Sequence, residues 1–251
     1  MPDATRARSF GAVADDYAAH RPGYPEEAVA WALAPAPGRP RVLDLAAGTG
    51  KLTASLLDRA DVGEVVAVEP DPGMLARLRA DLPGVDAREG TAEQIPLPDA
   101  SVDAVLVGQA IHWFDEERAY PEIARVLRPG GVFAGFWNAD DSEVDWVRGY
   151  IDVLMRERAA PGDPAAGDGA TLDLPEPFAA VERRDFTNPV PTTSEGLIAT
   201  LSTHSWALTA DPELRERALG ALRAYLSERP ETASGAFDWP VFTLVLRTFR
   251  K

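Results

Sequence analysis

Cysteine is absent from the 251 residues, which removes disulfides, thiolate metal sites and thiol nucleophiles from consideration. Histidine is nearly as scarce, with three copies, at positions 20, 112 and 204. Basic residues are too few to balance the acids: 25 Lys and Arg against 40 Asp and Glu leave a formal net charge of -15, and the pI is near 4.6. A phosphate backbone would approach a repulsive field, so no nucleic-acid partner is expected. Arg183-Arg184 is the short basic cluster considered as an argument otherwise. No segment reaches the roughly 18 consecutive apolar residues of a membrane span, and the N-terminus has no apolar h-region. A soluble, cytoplasmic chain with no membrane partner is the expectation.

What is present concentrates in one stretch. Arg41-Val-Leu-Asp-Leu-Ala-Ala-Gly-Thr-Gly50 is an apolar strand running into a glycine turn, and Val65-Val-Ala-Val-Glu69 is a second apolar strand ending in a carboxylate. The carboxylate follows the last glycine by roughly 20 residues, the spacing of a nucleotide-type βαβ unit. Gly48 and Gly50 lack a Cβ, so the backbone there turns sharply and approaches a ligand closely. The N–H groups opening a helix near Lys51 would face the same cavity. Glu69, at the carboxyl end of its strand, would accept the hydroxyls of a ribose. A phosphate-cradling P-loop is excluded, because Leu45 and Leu52 stand where Gly and Ser or Thr are needed. A dinucleotide fingerprint is weak, because Thr53 stands where a third small residue belongs.

Further along, Thr91-Ala-Glu-Gln-Ile-Pro-Leu-Pro-Asp99 precedes the apolar run Val102-Asp-Ala-Val-Leu-Val107, followed by Gly108-Gln-Ala-Ile-His-Trp-Phe-Asp115. Val126-Leu-Arg-Pro-Gly-Gly-Val-Phe-Ala-Gly-Phe136 contains a turn explained by geometry alone. Together with the glycine turn, these segments resemble the motifs of class I S-adenosylmethionine-dependent methyltransferases, with Ala46 in place of the first motif glycine. Ser9-Phe-Gly-Ala-Val-Ala-Asp-Asp-Tyr17, Arg21-Pro-Gly-Tyr-Pro25 and His112-Trp-Phe are similar to the type 11 group, which includes trans-aconitate and related carboxyl methyltransferases. The resemblance spans nearly the whole chain and is more specific for donor and fold than for acceptor.

It implies S-adenosyl-L-methionine as cofactor and a set of residues around it. Asp44, Ala46, Gly48, Gly50, Glu69, Pro70 and Met74 would bind the donor, with Glu69 at its ribose. Ala92 and Glu93 would line the adenine pocket, and Gln109, Ala110, His112 and Trp113 would lie near the sulfonium. Tyr17 and Arg21 share a helix face at i, i+4, and the resemblance puts that segment over the donor.

Alternating strands and helices from Arg41 to Trp137 predict an α/β fold, a Rossmann-like, mostly parallel sheet with helices on both faces. By resemblance the sheet has seven strands, the last antiparallel and inserted between the fifth and sixth. The expectation is one domain over 1–251. It would comprise a helical lid over about 1–38, a core sheet over about 39–140 and 181–251, and an acceptor cover over about 141–180 and 190–230. Residues 159–169, rich in Pro, Gly, Ala and Asp, read as a surface loop. Trp239 to Phe249 reads as the final strand, and Ser194 to Ser205 and Pro212 to Glu228 as helices.

The candidate chemistry follows from the reaction. Methyl transfer is an in-line displacement, which demands alignment and exclusion of water more than acid–base work. His112, just past the fourth strand, is a catalytic candidate whose alternative is orienting its loop. His204 is a second, whose alternative is capping a helix. Arg21 would bind a carboxylate bidentately or form a surface ion pair. Trp113, Phe114, Trp137 and Trp206 are candidates for an aromatic wall. The carboxylate runs Asp140-Asp141 and Asp115-Glu116-Glu117 lack an accompanying ligand set, so loops and helix N-termini explain them and no metal is expected. The reading is a methyltransferase for a small-molecule acceptor, monomer or homodimer, with carboxyl O-methylation first. N-, O- or C-methylation of another metabolite and a non-catalytic donor-binding regulatory protein are the alternatives.

Overall fold

A computed structural model describes residues 20–158 and 171–251. Tyr17, with the rest of residues 1–19 of the expected N-terminal lid, and the 159–169 loop lie outside the described residues. Seven strands form one sheet: β1 (Arg41–Leu45), β2 (Glu64–Glu69), β3 (Asp86–Glu89), β4 (Val102–Gly108), β5 (Leu127–Asp140), β6 (Glu182–Thr187) and, last in the chain, β9 (Val241–Phe249). Their order is β3-β2-β1-β4-β5-β9-β6. The first five are parallel, and β9 lies antiparallel between β5 and β6. The expected fold class and the inserted last strand are both observed.

The two faces follow from the period-2 alternation of a strand. Leu43, Leu45, Val66, Val68, Val105 and Val107 join one apolar cluster, which includes Tyr120 and Ile123 of α4 (Glu116–Val126). Val42, Val65, Ala104 and Leu106 join another, with Val29 of α1 (Glu26–Leu33) and Leu52 and Leu56 of α2 (Lys51–Leu57). Strands buried on both faces read as continuous apolar runs, which is why β1, β2 and β4 stood out in the sequence. The edge strand β3, Asp86-Ala-Arg-Glu89, carries charges instead, as an exposed edge requires. Helix α3 (Pro72–Asp81) starts on the Asp71 side chain, which accepts from the Gly73 and Met74 amides, a standard N-cap.

The cover is built from α5 (Asp145–Arg158), β7 (Val190–Thr193), α6 (Ser194–Ser202), α7 (Ser205–Thr209), α8 (Pro212–Ser227) and β8 (Ala236–Trp239). It has its own apolar cluster, including Trp146, Tyr150, Leu201, Trp206 and Leu222. Two expectations are corrected here. The final strand divides at Pro240: Ala236–Trp239 leaves the main sheet and pairs with β7, while Val241–Phe249 continues in the sheet. Proline has no N–H to donate to a ladder, which makes it a natural break. Asp140 is not a solvated loop residue. It ends β5 and accepts from the Tyr150 hydroxyl and, at 2.9 Å, from Trp239 Nε1. Burial and the neighbouring Asp140 carboxylate hold the Tyr150 phenol well above its usual range, so it remains a donor. These bonds fasten β5 to both α5 and β8.

Candidate functional site

The turn after β1 is strained where the sequence departs from glycine. Ala46 has φ 58°, Gly48 φ 58° and Gly50 φ 87°. Positive φ is accessible to glycine but costs an L-residue such as alanine roughly 1–2 kcal/mol. A second non-glycine outlier, Gln109 with φ 59°, follows β4. Because β1 lies between β2 and β4, the two strained residues stand at neighbouring carboxyl ends of the sheet, the place where such folds take ligands.

The two glycines do different jobs. A Cβ added at Gly48 meets nothing within 4 Å among the described residues, which leave open space above it. One added at Gly50 meets Leu82 at 2.9 Å and Leu78 at 3.0 Å. Gly50 therefore permits packing against α3 rather than approach of a ligand, which corrects the expectation that both glycines face one. The turn also consumes its own donors: Gly50 N–H donates to the Ala47 carbonyl at 2.9 Å, and Gly48 N–H to Glu69 Oε2 at 2.8 Å.

Glu69 is 6% exposed, and its Oε1 accepts from the Asp71 amide at 2.8 Å. Burial pushes its carboxyl up to about 7, against the lowering effect of the two backbone bonds. Asp44, 1% exposed, is likewise pushed up to about 7 by burial. The Thr53 hydroxyl donates to its Oδ2 at 2.5 Å, and Oδ1 has no partner among the described residues. A buried acceptor left without a donor is costly.

The remaining candidates fall into three places. Pro70 follows Glu69, and Met74 is buried on α3. Ala92 is 4% exposed within the sheet's core cluster, so only its backbone is available to an adenine. Glu93 is half-buried, and its Oε1 accepts from the Asp115 amide at 3.0 Å, joining the segment after β3 to the start of α4. Gln109 Nε2 donates to the Asn138 carbonyl at 3.0 Å, and Ala110 packs against the core. His112 is exposed in a single 3₁₀ turn, Ile111–Trp113, with its ring 4.6 Å from that of Trp113.

The cover side brings Arg21 and His204 together through Thr203. Arg21 Nε donates to Thr203 Oγ1 at 3.1 Å, and Nη2 to the Thr203 carbonyl at 3.2 Å. Arg21 lies in a bend directly after His20; Tyr17, with which it was expected to share a helix face, lies outside the described residues. His204 takes the N-cap position of α7 without a side-chain capping bond. The aromatic wall is also corrected: Phe114 and Trp137 are buried in the sheet's core and Trp206 in the cover's, leaving Trp113 half-buried beside His112.

Sequence reasoning assigned no role to Tyr24, Gly108, Asn138, Asn188 and Thr203. Asn138 and Asn188 donate to the Gly23 carbonyl, each at 3.0 Å, and the Tyr24 ring lies edge-on to Phe136. The Pro-flanked Arg21-Pro-Gly-Tyr-Pro25 segment was the available signal, since such a stretch has few conformations of its own.

The sheet order and the glycine turn facing a strand-end carboxylate define a class I, nucleotide-type α/β binding fold. No helix of the described residues is long and apolar enough to cross a membrane, and no group of potential metal ligands occurs among them. A family model described as a methyltransferase domain matches residues 43–135. An uncharacterized methyltransferase of Mycobacterium tuberculosis (strain ATCC 25618 / H37Rv) is 46% identical over 242 residues, covering 95% of this chain and 94% of the relative. A malonyl-[acyl-carrier protein] O-methyltransferase of Methylococcus capsulatus is 38% identical over 158 residues, 58% of each chain. A solved structure from Anaeromyxobacter dehalogenans, named provisionally as a type II methyltransferase, superposes with a TM-score of 0.64 at 29% identity, covering 92% of this chain and 97% of that one. The chain belongs to the class I S-adenosylmethionine-dependent methyltransferase family. It is an enzyme with S-adenosylmethionine as its methyl donor.

Proposed function

We propose that the donor lies over Gly48, with its ribose hydroxyls on Glu69, and that the acceptor is a small carboxylic acid converted to its methyl ester. The donor supplies an electrophilic methyl on a positively charged sulfur. The residues fit it: among the described residues open space stands above Gly48 and Asp44 Oδ1 is an unmatched buried acceptor, and an ionised Glu69 keeps acceptor capacity beyond its two backbone bonds. Pro70 and Met74 flank the ribose, the Ala92 and Glu93 backbone edges the adenine, and Gln109, Ala110 and Trp113 bound the sulfur end. The chain is read as one domain whose cover, residues 141–158, 171–180 and 190–239, closes the acceptor side.

The observation that carries the acceptor class is Arg21, a guanidinium fixed on the cover by two bonds to Thr203. A held guanidinium recognises a carboxylate. A carboxylate is already ionised at pH 7, so no general base is required; His112 and His204 then act as acceptor contacts. The O-methyltransferase name of the Methylococcus relative supports the same class. The test is incubation with methyl-labelled S-adenosylmethionine and a panel of carboxylic acids, amines and phenols. Methyl esters release volatile methanol in base, which is the expected outcome. Label retained in a base-stable product would overturn the carboxyl assignment.

A further inference from the structure

Gly108 ends β4 at a point where an added side chain would displace its neighbour: a Cβ built there meets the Tyr24 hydroxyl oxygen at 2.4 Å and its Cζ at 2.9 Å. The phenol therefore rests directly on the glycine backbone. Tyr24 is held there from several directions. Its ring packs edge-on against Phe136, centroids 5.5 Å apart, and Phe136 is fully buried on β5. Asn138 Nδ2 donates to the carbonyls of Pro22 at 3.4 Å and Gly23 at 3.0 Å. Asn188 Nδ2 donates to Gly23 at 3.0 Å, and to Asn138 Oδ1 at 3.2 Å. The same Asn138 accepts, through its carbonyl, from Gln109. One amide network thus fixes the segment that carries the phenol and the strained residue that follows Gly108.

The carboxyl ends of parallel strands face the ligand. Gly108 is that end of β4, and β4 pairs with β1, whose own end carries the Gly48 turn. We propose that Tyr24 is a substrate-contacting residue, its hydroxyl facing the transferring methyl above Gly108 and holding the acceptor oxygen on the line of transfer. The inference rests on the donor placement proposed above. In that step the bond between sulfur and methyl carbon breaks with its electron pair going to sulfur. The acceptor carboxylate supplies the pair for the new oxygen–carbon bond, and Tyr24 keeps its proton throughout. Such a displacement loses rate steeply when the three atoms leave their line.

Tyr24→Phe removes the oxygen and keeps the ring on Phe136, whereas Gly108→Ala keeps the oxygen and displaces it. Each is compared with the unmodified enzyme by calorimetry with S-adenosylmethionine and by nuclear magnetic resonance of the bound donor labelled with ¹³C in its methyl group. Both variants are expected to bind donor within about threefold of the parent and to shift the bound methyl resonance. Methyl-ester formation should fall about 10- to 100-fold in kcat with the donor KM unchanged. A bound methyl resonance identical in the parent and Tyr24→Phe overturns the proposal. That resonance needs no acceptor, so an enzyme that makes no methyl ester refutes the acceptor class while Tyr24 is still decided by the spectrum. Should Gly108→Ala fail to fold, Tyr24→Phe decides alone.

Discussion

The Gly48 amide donates to Glu69 Oε2 across 2.8 Å, tying the ends of two neighbouring strands whose residues are 21 apart in the chain. Through Oε1 the same carboxylate holds the Asp71 amide, and Asp71 in turn caps α3. One buried side chain thus shapes both the glycine turn and the start of a helix. A ligand that used this carboxylate would find it already oriented, with little left to order on binding.

Glu69→Ala should weaken S-adenosylmethionine binding by about 10- to 150-fold, the cost of a lost bond to a charged acceptor. It should also lower stability by about 1–3 kcal/mol, because two backbone N–H groups lose their acceptor. Calorimetry and thermal melts measure the two effects separately. Unchanged affinity in a folded Glu69→Ala variant would refute the donor placement.

Ala46→Gly should stabilise the protein by about 0.5–1 kcal/mol. Relief of the left-handed conformation outweighs the greater freedom of glycine in the unfolded chain. Melting temperature should rise by about 1–3 °C, with donor affinity held. A lower melting temperature would show that the alanine methyl makes a contact worth more than the strain.

Burial raises Asp44 and Glu69, each to about 7. A carboxyl raised in the folded state keeps a proton that the unfolded chain releases from about pH 4. The stability it contributes is full below that pH and is lost as pH rises through 7. The ligand-free protein should therefore melt at progressively lower temperature from about pH 5 to about pH 7.5. Asp44→Asn keeps an acceptor for Thr53 and should flatten the curve; equal slopes for parent and variant would assign the effect elsewhere. Asp61, Asp86, Glu122 and Glu195 are lowered by arginine partners, so their contribution is lost below the usual carboxylate range instead.

Thr203 is 2% exposed; its hydroxyl accepts from Arg21 Nε and donates to the Thr200 carbonyl at 2.7 Å. Thr203→Val should loosen the N-terminal segment from the cover, raising amide exchange at Arg21, Gly23 and Tyr24 about tenfold or more. In the parent, donor binding should slow exchange of the same amides as the segment closes over the site. Identical exchange with and without donor would rule out a closing segment.

The parts that could be read from the sequence were those with local causes. Arg41–Leu45 and Glu64–Glu69 fall on the runs read as strands because strands buried on both faces are mostly apolar. Glu69 was recognisable because a carboxylate ending such a strand has few structural uses. The β7–β8 pair escaped notice, since Val190-Pro-Thr-Thr193 meets a partner on the far side of three helices and short strands have no strong pattern of their own. Tyr24 and Gly108 escaped for the same reason: their contact joins distant parts of the chain. The burial of Phe114, Trp137 and Trp206 shows how an aromatic residue's type says little about which cluster it enters.

The insertion of β9 between β5 and β6 also constrains the order of assembly. During synthesis β6 emerges before β9, its neighbour in the sheet among the described residues, exists, and it must wait through the whole cover excursion from β7 to β8. The first five strands need no such delay, because each pairs with strands already made or soon to follow. A ribosome-bound intermediate would hold the donor half nearly complete while one edge of β5 stayed bare and able to recruit a stray strand. Strand β9 is thus the bolt that closes the sheet, and chaperone dependence should concentrate in the interval before it arrives.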